Sequence, residues 1–308
     1  PRLFDYEHLR AQPHELKVAV INAYLVDGPN VLTDKRTSPL SPHMPEVVKG
    51  SMATDGGHFI VTPDELVAVE ADPTARKFLR AYVGSKELID GKKRWCLWLV
   101  DATPDEIERS PELRRRVDAV REVRLGSKAA TTRNYPHHHL FRQFGITAER
   151  PIVCIPEVSS EHREYLPVGH LDDGAIISNK VYGALDPTGL IFALASSSMF
   201  ITWMKTVGGR LESRLSFSST ITWNNFPLPP IATDQRQAIE EAGEAILAAR
   251  SEHPALSLED HYRPGSMTPS VRKAHERLDR LVDAALGLND KNPTFLRRQE
   301  VLFASYER

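Results

Sequence analysis

The sequence predicts a mixed α/β (α+β) domain followed by a C-terminal α-helical hairpin or bundle, and three observations carry that prediction. Apolar runs with strand character alternate with marked helix starts between Leu16 and Val207. Pro227, Pro229 and Pro230 then stiffen and break the chain. Beyond them, apolar residues recur at helical spacing in two long stretches.

Taken in order, the run from Leu16 to Leu25 predicts a strand, ended by a turn at Asp27-Gly28-Pro29-Asn30. The next fifty or so residues, with their prolines and Asp55-Gly56-Gly57, predict loop and hairpin. Thr62-Pro63-Asp64-Glu65 and Thr103-Pro104-Asp105-Glu106 each open a helix: Thr sits at the N-cap, Pro in the first turn and Glu three residues on. Ser110-Pro111-Glu112 opens a third, which carries an arginine cluster and stops near Gly126. Arg94 to Val100 predicts a buried strand, Pro151 to Val158 a strand broken at Pro156, and Ala175 to Lys180 an apolar strand with a lysine at its end. From Leu190 to Val207 the chain is apolar nearly all round, which predicts one buried helix closed by Gly208 as a C′ glycine. Helices follow from Thr233 to Arg250, from Thr268-Pro269 to Gly287, and from Asn292-Pro293.

The 308 residues are 41% hydrophobic and 26% charged, as in a soluble globular protein of one or two domains. A net charge of -2 carries no chain-wide signature of nucleic-acid binding. The charge is segregated, however: arginines and lysines from Arg114 to Arg150 outnumber the acids among them, and Asp234 to Glu244 is acid-rich. Cys96 and Cys154 sit in apolar runs and read as small buried hydrophobes of a reducing compartment. The longest apolar segment, Leu190 to Met204, is too short and too serine-rich to span a bilayer, so no membrane partner and a cytoplasmic setting are expected. The chain opens at Pro1 directly in charged, patterned sequence, which leads us to expect a longer parent polypeptide.

One stretch, Gly208 to Ser218, reads as a two-faced strand. Leu211, Ser213, Leu215 and Phe217 fall on one side and Glu212, Arg214, Ser216 and Ser218 on the other. An acid and an arginine two residues apart on a displayed face suit a base pair in the DNA major groove, because Glu accepts from the cytosine amine and Arg donates to guanine O6 and N7. The same spacing also fits a surface strand with a weak ion pair. Ser127, Lys128 and Arg133, small hydroxyls beside basic side chains after the arginine helix, have the chemistry of phosphate contacts. Lys205 and Arg210 flank the helix end and strand start, where they could hold phosphates.

Val207-Gly208-Gly209-Arg210-Leu211-Glu212-Ser213-Arg214, followed by Asn224-Asn225-Phe226-Pro227, resembles the C-terminal specificity region of MmeI-type (class IIL) restriction–modification enzymes. Arg94 to Leu99, Ile155 to Glu161, Tyr165 to Gly169 and Thr268 to Asp279 resemble the same family in the same order. The resemblance implies a connector from an upstream methyltransferase domain at 1–61, a DNA target-recognition domain at 62–230 and a C-terminal helical domain at 231–308. It also implies that Glu212 and Arg214 read a C next to the methylated adenine, and that Ser216 with Lys180 reads a G on its other side, giving a site containing G-A-C. Arg163 is a phosphate candidate by the same resemblance, although His162 stands where the family usually has a second arginine.

Catalytic machinery is not legible in these residues. Neither a glycine-rich S-adenosylmethionine loop nor an Asn-Pro-Pro-aromatic motif is present, and Asn225-Phe226-Pro227 has the wrong order. The resemblance therefore implies double-stranded DNA and the upstream methyltransferase domain as partners, with S-adenosylmethionine and Mg2+ serving the parent enzyme and no cofactor bound here. Two alternatives stay open on the sequence alone: a separately encoded specificity subunit, and a protein-interaction module.

Overall fold

The computed structural model describes residues 1–5, 12–28, 30–146, 152–171 and 174–307. The expected turn residue Pro29, Arg150 of the basic region and the predicted strand start at Pro151 lie outside the described residues.

The local signals place most helices where the sequence puts them. Pro63–Ala71 begins with the Glu65 carboxylate accepting from Thr62 N–H at 3.0 Å, and Pro104–Arg109 with the reciprocal Thr103–Glu106 bonds. Pro111–Leu125 starts from Ser110, whose hydroxyl accepts from Leu113 N–H at 3.0 Å. At the other end of the chain, Thr233–Ser251, Pro269–Ala285 and Phe295–Tyr306 are helices, with a short helix Leu258–Tyr262 between the first two. Their stripes are buried: Ile239, Ala242 and Ile246 on one, Val271, Leu278 and Val282 on the next.

Four sheets carry the rest of the described fold, the smallest being the pair Arg2–Asp5 and His14–Lys17. A mixed sheet runs in the order Ile176–Ile177, Leu79–Val83, Trp95–Leu97, Ile60–Val61, and buries Phe59, Leu97, Leu113 and Phe141 in one core. An antiparallel sheet runs Val48–Lys49, Val181–Leu185, Ile152–Pro156, Gly169–Leu171. A third, three-stranded sheet is formed by Gly209–Leu211, Arg214–Ser216 and Val158–Ser159. The chain passes between sheets at two corners that matter for the site, the turn at Ser178-Asn179-Lys180 and the single residue Glu157.

The predicted buried pillar exists but is two helices, Leu190–Ala195 and Ser198–Val207. Ser197 interrupts it by turning its hydroxyl onto Phe200 N–H at 3.2 Å, which caps a new helix instead of continuing the old one. Gly208 has φ -71° and so is not a left-handed C′ residue. Glycine is required there by close approach, since a Cβ would lie 2.4 Å from the Met204 carbonyl. The Leu16 to Leu25 strand is also shorter than expected: His14–Lys17 pairs with Arg2–Asp5, and the chain then turns, with Leu25 at φ 58°. Both pillar helices share one core with the C-terminal helices, so the two parts of the chain are not independently packed.

A buried polar network joins them. Asp279 accepts from Ser198 N–H at 2.7 Å, from the Ser198 hydroxyl at 2.6 Å and from the Tyr165 hydroxyl at 2.8 Å. His275 faces the Ser196 carbonyl at 3.1 Å, which places a proton on Nδ1 and leaves Nε2 to accept from the Tyr262 hydroxyl at 2.7 Å. Arg250 in turn donates to that hydroxyl at 2.9 Å.

Candidate nucleic-acid interface

Glu212 and Ser213 form a two-residue turn, with Leu211 opposite Arg214, Arg210 opposite Leu215 and Gly209 opposite Ser216. The predicted single strand is therefore a hairpin. No local signal marks its turn, because Glu212 adopts φ 59° without the Gly or Asn usual at such a position. Leu215 and Phe217 face the core as expected, Phe217 packing on Phe200 and Trp223. Leu211 does not: the turn carries it to the Arg214 side, where it is 50% exposed.

At the hairpin tip Arg214 donates to the Glu212 carboxylate at 2.8 Å, with the two side chains 46% and 79% exposed. An ion pair this open adds little to stability, about 0–1 kcal/mol. Its polar groups face outward, free to exchange each other for an external partner. The turn is steadied by the Glu161 carboxylate, whose pKa lies below the ordinary carboxylate value, first because it accepts a hydrogen bond from Ser213.

Beside the hairpin runs an open groove of about 820 Å³. Arg214, Ser216, Arg210 and Leu211 form one wall, Ser85, Lys86 and Asp90 another, and Lys180 and Glu157 lie between. Lys180 hangs from the turn that joins two sheets, its carbonyl accepting from the Ser85 hydroxyl at 2.5 Å. Three of the four predicted base-reading residues, Lys180, Arg214 and Ser216, thus line one groove, and Glu212 stands at the tip next to them.

Glu157 is the residue that sequence reasoning passed over. Its carboxylate accepts from Lys180 Nζ at 3.2 Å and from Lys49 Nζ on the other oxygen. Its backbone N–H donates to the Lys180 carbonyl at 2.9 Å, and its carbonyl accepts from Phe217 N–H at 2.8 Å. Burial works against the charge on Lys49, but the bond to Glu157 and the field of Tyr182 outweigh it, and the lysine pKa lies above its ordinary value. The one local signal is an acid directly after an apolar run that ends at Pro156.

The expected phosphate residues fall into three environments. Arg210 is exposed at the hairpin start, its guanidinium donating to the Lys205 carbonyl at 2.8 Å. Lys205 is half-buried, and its pKa is lowered by burial and then by Arg210. Arg163 is buried at the groove floor, bonded to the Ser159 hydroxyl at 3.2 Å and paired with Glu259 of the C-terminal helices. Ser127, Lys128 and Arg133 stand apart from the groove: Arg133 donates to the Ser127 carbonyl at 2.9 Å, and Lys128 is exposed. Of the arginine cluster before them, Arg116 and Arg124 are buried and structural, Arg124 donating to the carbonyls of Ala53, Thr54, His137 and Leu140.

A mixed α/β domain that mounts an exposed acid–arginine hairpin beside a polar groove, braced by a helical C-terminal part, has the build of a target recognition domain. Residues 27–230 match the family described as MmeI, target recognition domain, and residues 231–308 match MmeI, C-terminal domain. The chain belongs to the MmeI family, as a target recognition domain followed by the C-terminal domain. It is 34% identical over 270 residues to DNA methyltransferase A of Bacillus subtilis (strain 168), covering 87% of this chain and 30% of that protein. A solved structure of the Type IIL restriction-modification enzyme MmeI in complex with DNA superposes with a TM-score of 0.92 and 37% identity, over 99% of this chain and 41% of the other. The chain thus spans well under half the length of both relatives.

Proposed function

We propose that this chain selects the DNA site for a single-polypeptide adenine-N6 methyltransferase and endonuclease, reading a sequence that contains G-A-C through the major groove. The observation that carries the reading is the solvent-facing Glu212–Arg214 pair at a hairpin tip, in register with a groove that holds Ser216 and Lys180. Glu212 accepts from the cytosine amine and Arg214 donates to the guanine of the C·G pair that follows the adenine. Lys180 donates to O6 and N7 of the guanine that precedes it, and Ser216 is small enough to leave that base room. Arg210 and Lys128, exposed and basic, hold phosphates without reading sequence. Catalysis, S-adenosylmethionine and Mg2+ belong to upstream domains of the parent, acting on double-stranded DNA in the prokaryotic cytoplasm.

Mapping adenine methylation in a methylation-free host that expresses the full-length protein tests this. One asymmetric motif containing G-A-C supports the reading. A motif with another base at either position removes the corresponding residues from their roles, and absence of methylation from a well-expressed protein counts against the function as a whole.

A further inference from the structure

The Asn224-Asn225 pair plays no part in the hairpin, and its work is elsewhere. Residues 34–38, Asp34-Lys35-Arg36-Thr37-Ser38, are all exposed and belong to no helix or strand. Their backbone is nevertheless held from across the fold. Asn225 Nδ2 donates to the Asp34 carbonyl and Asn224 Nδ2 to the Arg36 carbonyl, each at 2.9 Å. Arg36 N–H donates to the Thr220 carbonyl at 3.0 Å, and Arg36 Nε to Asn225 Oδ1 at 3.1 Å. Both asparagines are buried, and Tyr306 of the last helix donates to Asn225 Oδ1 at 2.8 Å.

The carbonyl that receives Arg36 lies in Ser219–Trp223, a π-helical turn that starts three residues after the hairpin. Single π turns recur at functional sites. The loop has no large apolar side chain to bury, so core packing does not account for the anchoring; exposed segments fixed to a rigid scaffold are where binding residues concentrate. Among the described residues, neither Lys35 nor Arg36 has a carboxylate partner, and the loop's single acid, Asp34, leaves it net positive.

We infer that the 34–38 loop is a DNA-backbone site, in which Lys35 and Arg36 each hold a phosphate close to the bases that the hairpin reads. The inference rests on the DNA-reading role proposed for the hairpin. Thr37 and Ser38 add hydroxyl donors of the kind that phosphate contacts use. Asn224 and Asn225 are positioning residues that keep the loop in register with the hairpin.

The test compares the full-length protein with its Lys35→Ala, Arg36→Ala double variant on a duplex carrying its methylation motif and on an unrelated duplex, across a salt series. Two lost phosphate contacts weaken binding to both duplexes by the same factor, roughly tenfold or more near 0.1 M salt, and reduce the salt slope by about 1.8. Methylation of the motif keeps its sequence. Wild-type affinity and slope in a double variant that also melts at the wild-type temperature overturn the loop assignment alone, as does a loss confined to one duplex. If the wild-type protein shows no salt-dependent duplex binding, the hairpin's role falls and the loop's with it.

Discussion

Glu157 and Lys180 are joined twice, through a backbone hydrogen bond of 2.9 Å from Glu157 N–H to the Lys180 carbonyl and through a side-chain ion pair of 3.2 Å. Because the Glu157 carbonyl also takes Phe217 N–H, one residue sets the lysine turn against the hairpin. Lys180 is 63% exposed, so the side-chain pair orients the ammonium more than it stabilises the fold.

Glu157→Gln removes that orientation and keeps both backbone bonds. We expect the melting temperature to stay within a shift equivalent to about 1 kcal/mol, because one partner of the pair is exposed. The preference at the base pairs facing Lys180 should broaden. A methylation map with unchanged sequence preference would show that Lys180 needs no such holder.

Glu212 sits at φ 59°, a conformation that costs a side chain other than Gly, Asn or Asp about 1–2 kcal/mol. On the function proposed above, the glutamate is kept in the turn for the base it meets there. Glu212→Asn tolerates the same backbone and gives up only an exposed ion pair. Denaturant unfolding should find the variant at least as stable as the wild type, to within about 1 kcal/mol, while discrimination for C after the adenine is lost. A clear destabilisation would mean that the glutamate serves the fold.

Acid should loosen the joint between the two parts. Burial, and then the nearby Arg250 charge, hold the His275 pKa well below its ordinary value of 6.5 against the pull of the Ser196 carbonyl, and the Tyr262 hydroxyl donates to Nε2 of the neutral ring. Below 6.5 the unfolded chain takes up a proton at this residue that the folded chain refuses, so its contribution is intact above that pH and is lost as pH falls. His170, His138, His139 and His261, each lowered first by burial, act in the same direction. Asp279, raised by burial, acts in the opposite one. Unfolding free energy should drop between pH 7.5 and 5.5, and drop less in His275→Gln; equal pH dependence in the two proteins would contradict the assignment.

What the sequence made legible was local. Thr62, Thr103 and Ser110 announce their helices because cap and partner lie within three residues. Ser196 and Ser197 read as packing inside one apolar helix, and only the fold shows that Ser197 breaks the pillar. The hairpin read as a strand because period two survives on Arg214 to Ser216, while Glu212 hides the turn. Counting arginines did not separate Arg124, which is wholly buried, from Lys128 on the surface. Glu157 and the 34–38 loop act across 23 and about 190 positions of chain, beyond the reach of any local pattern.

The most direct test of the account is the paired replacement Glu212→Lys with Arg214→Asp in the full-length protein, followed by a methylation map. The lysine then faces a guanine and the aspartate the amine of its partner cytosine, so the base after the adenine should change from C to G with the rest of the motif unchanged. Methylation that persists at A-C in a folded, active variant would contradict the claim that this hairpin chooses the site.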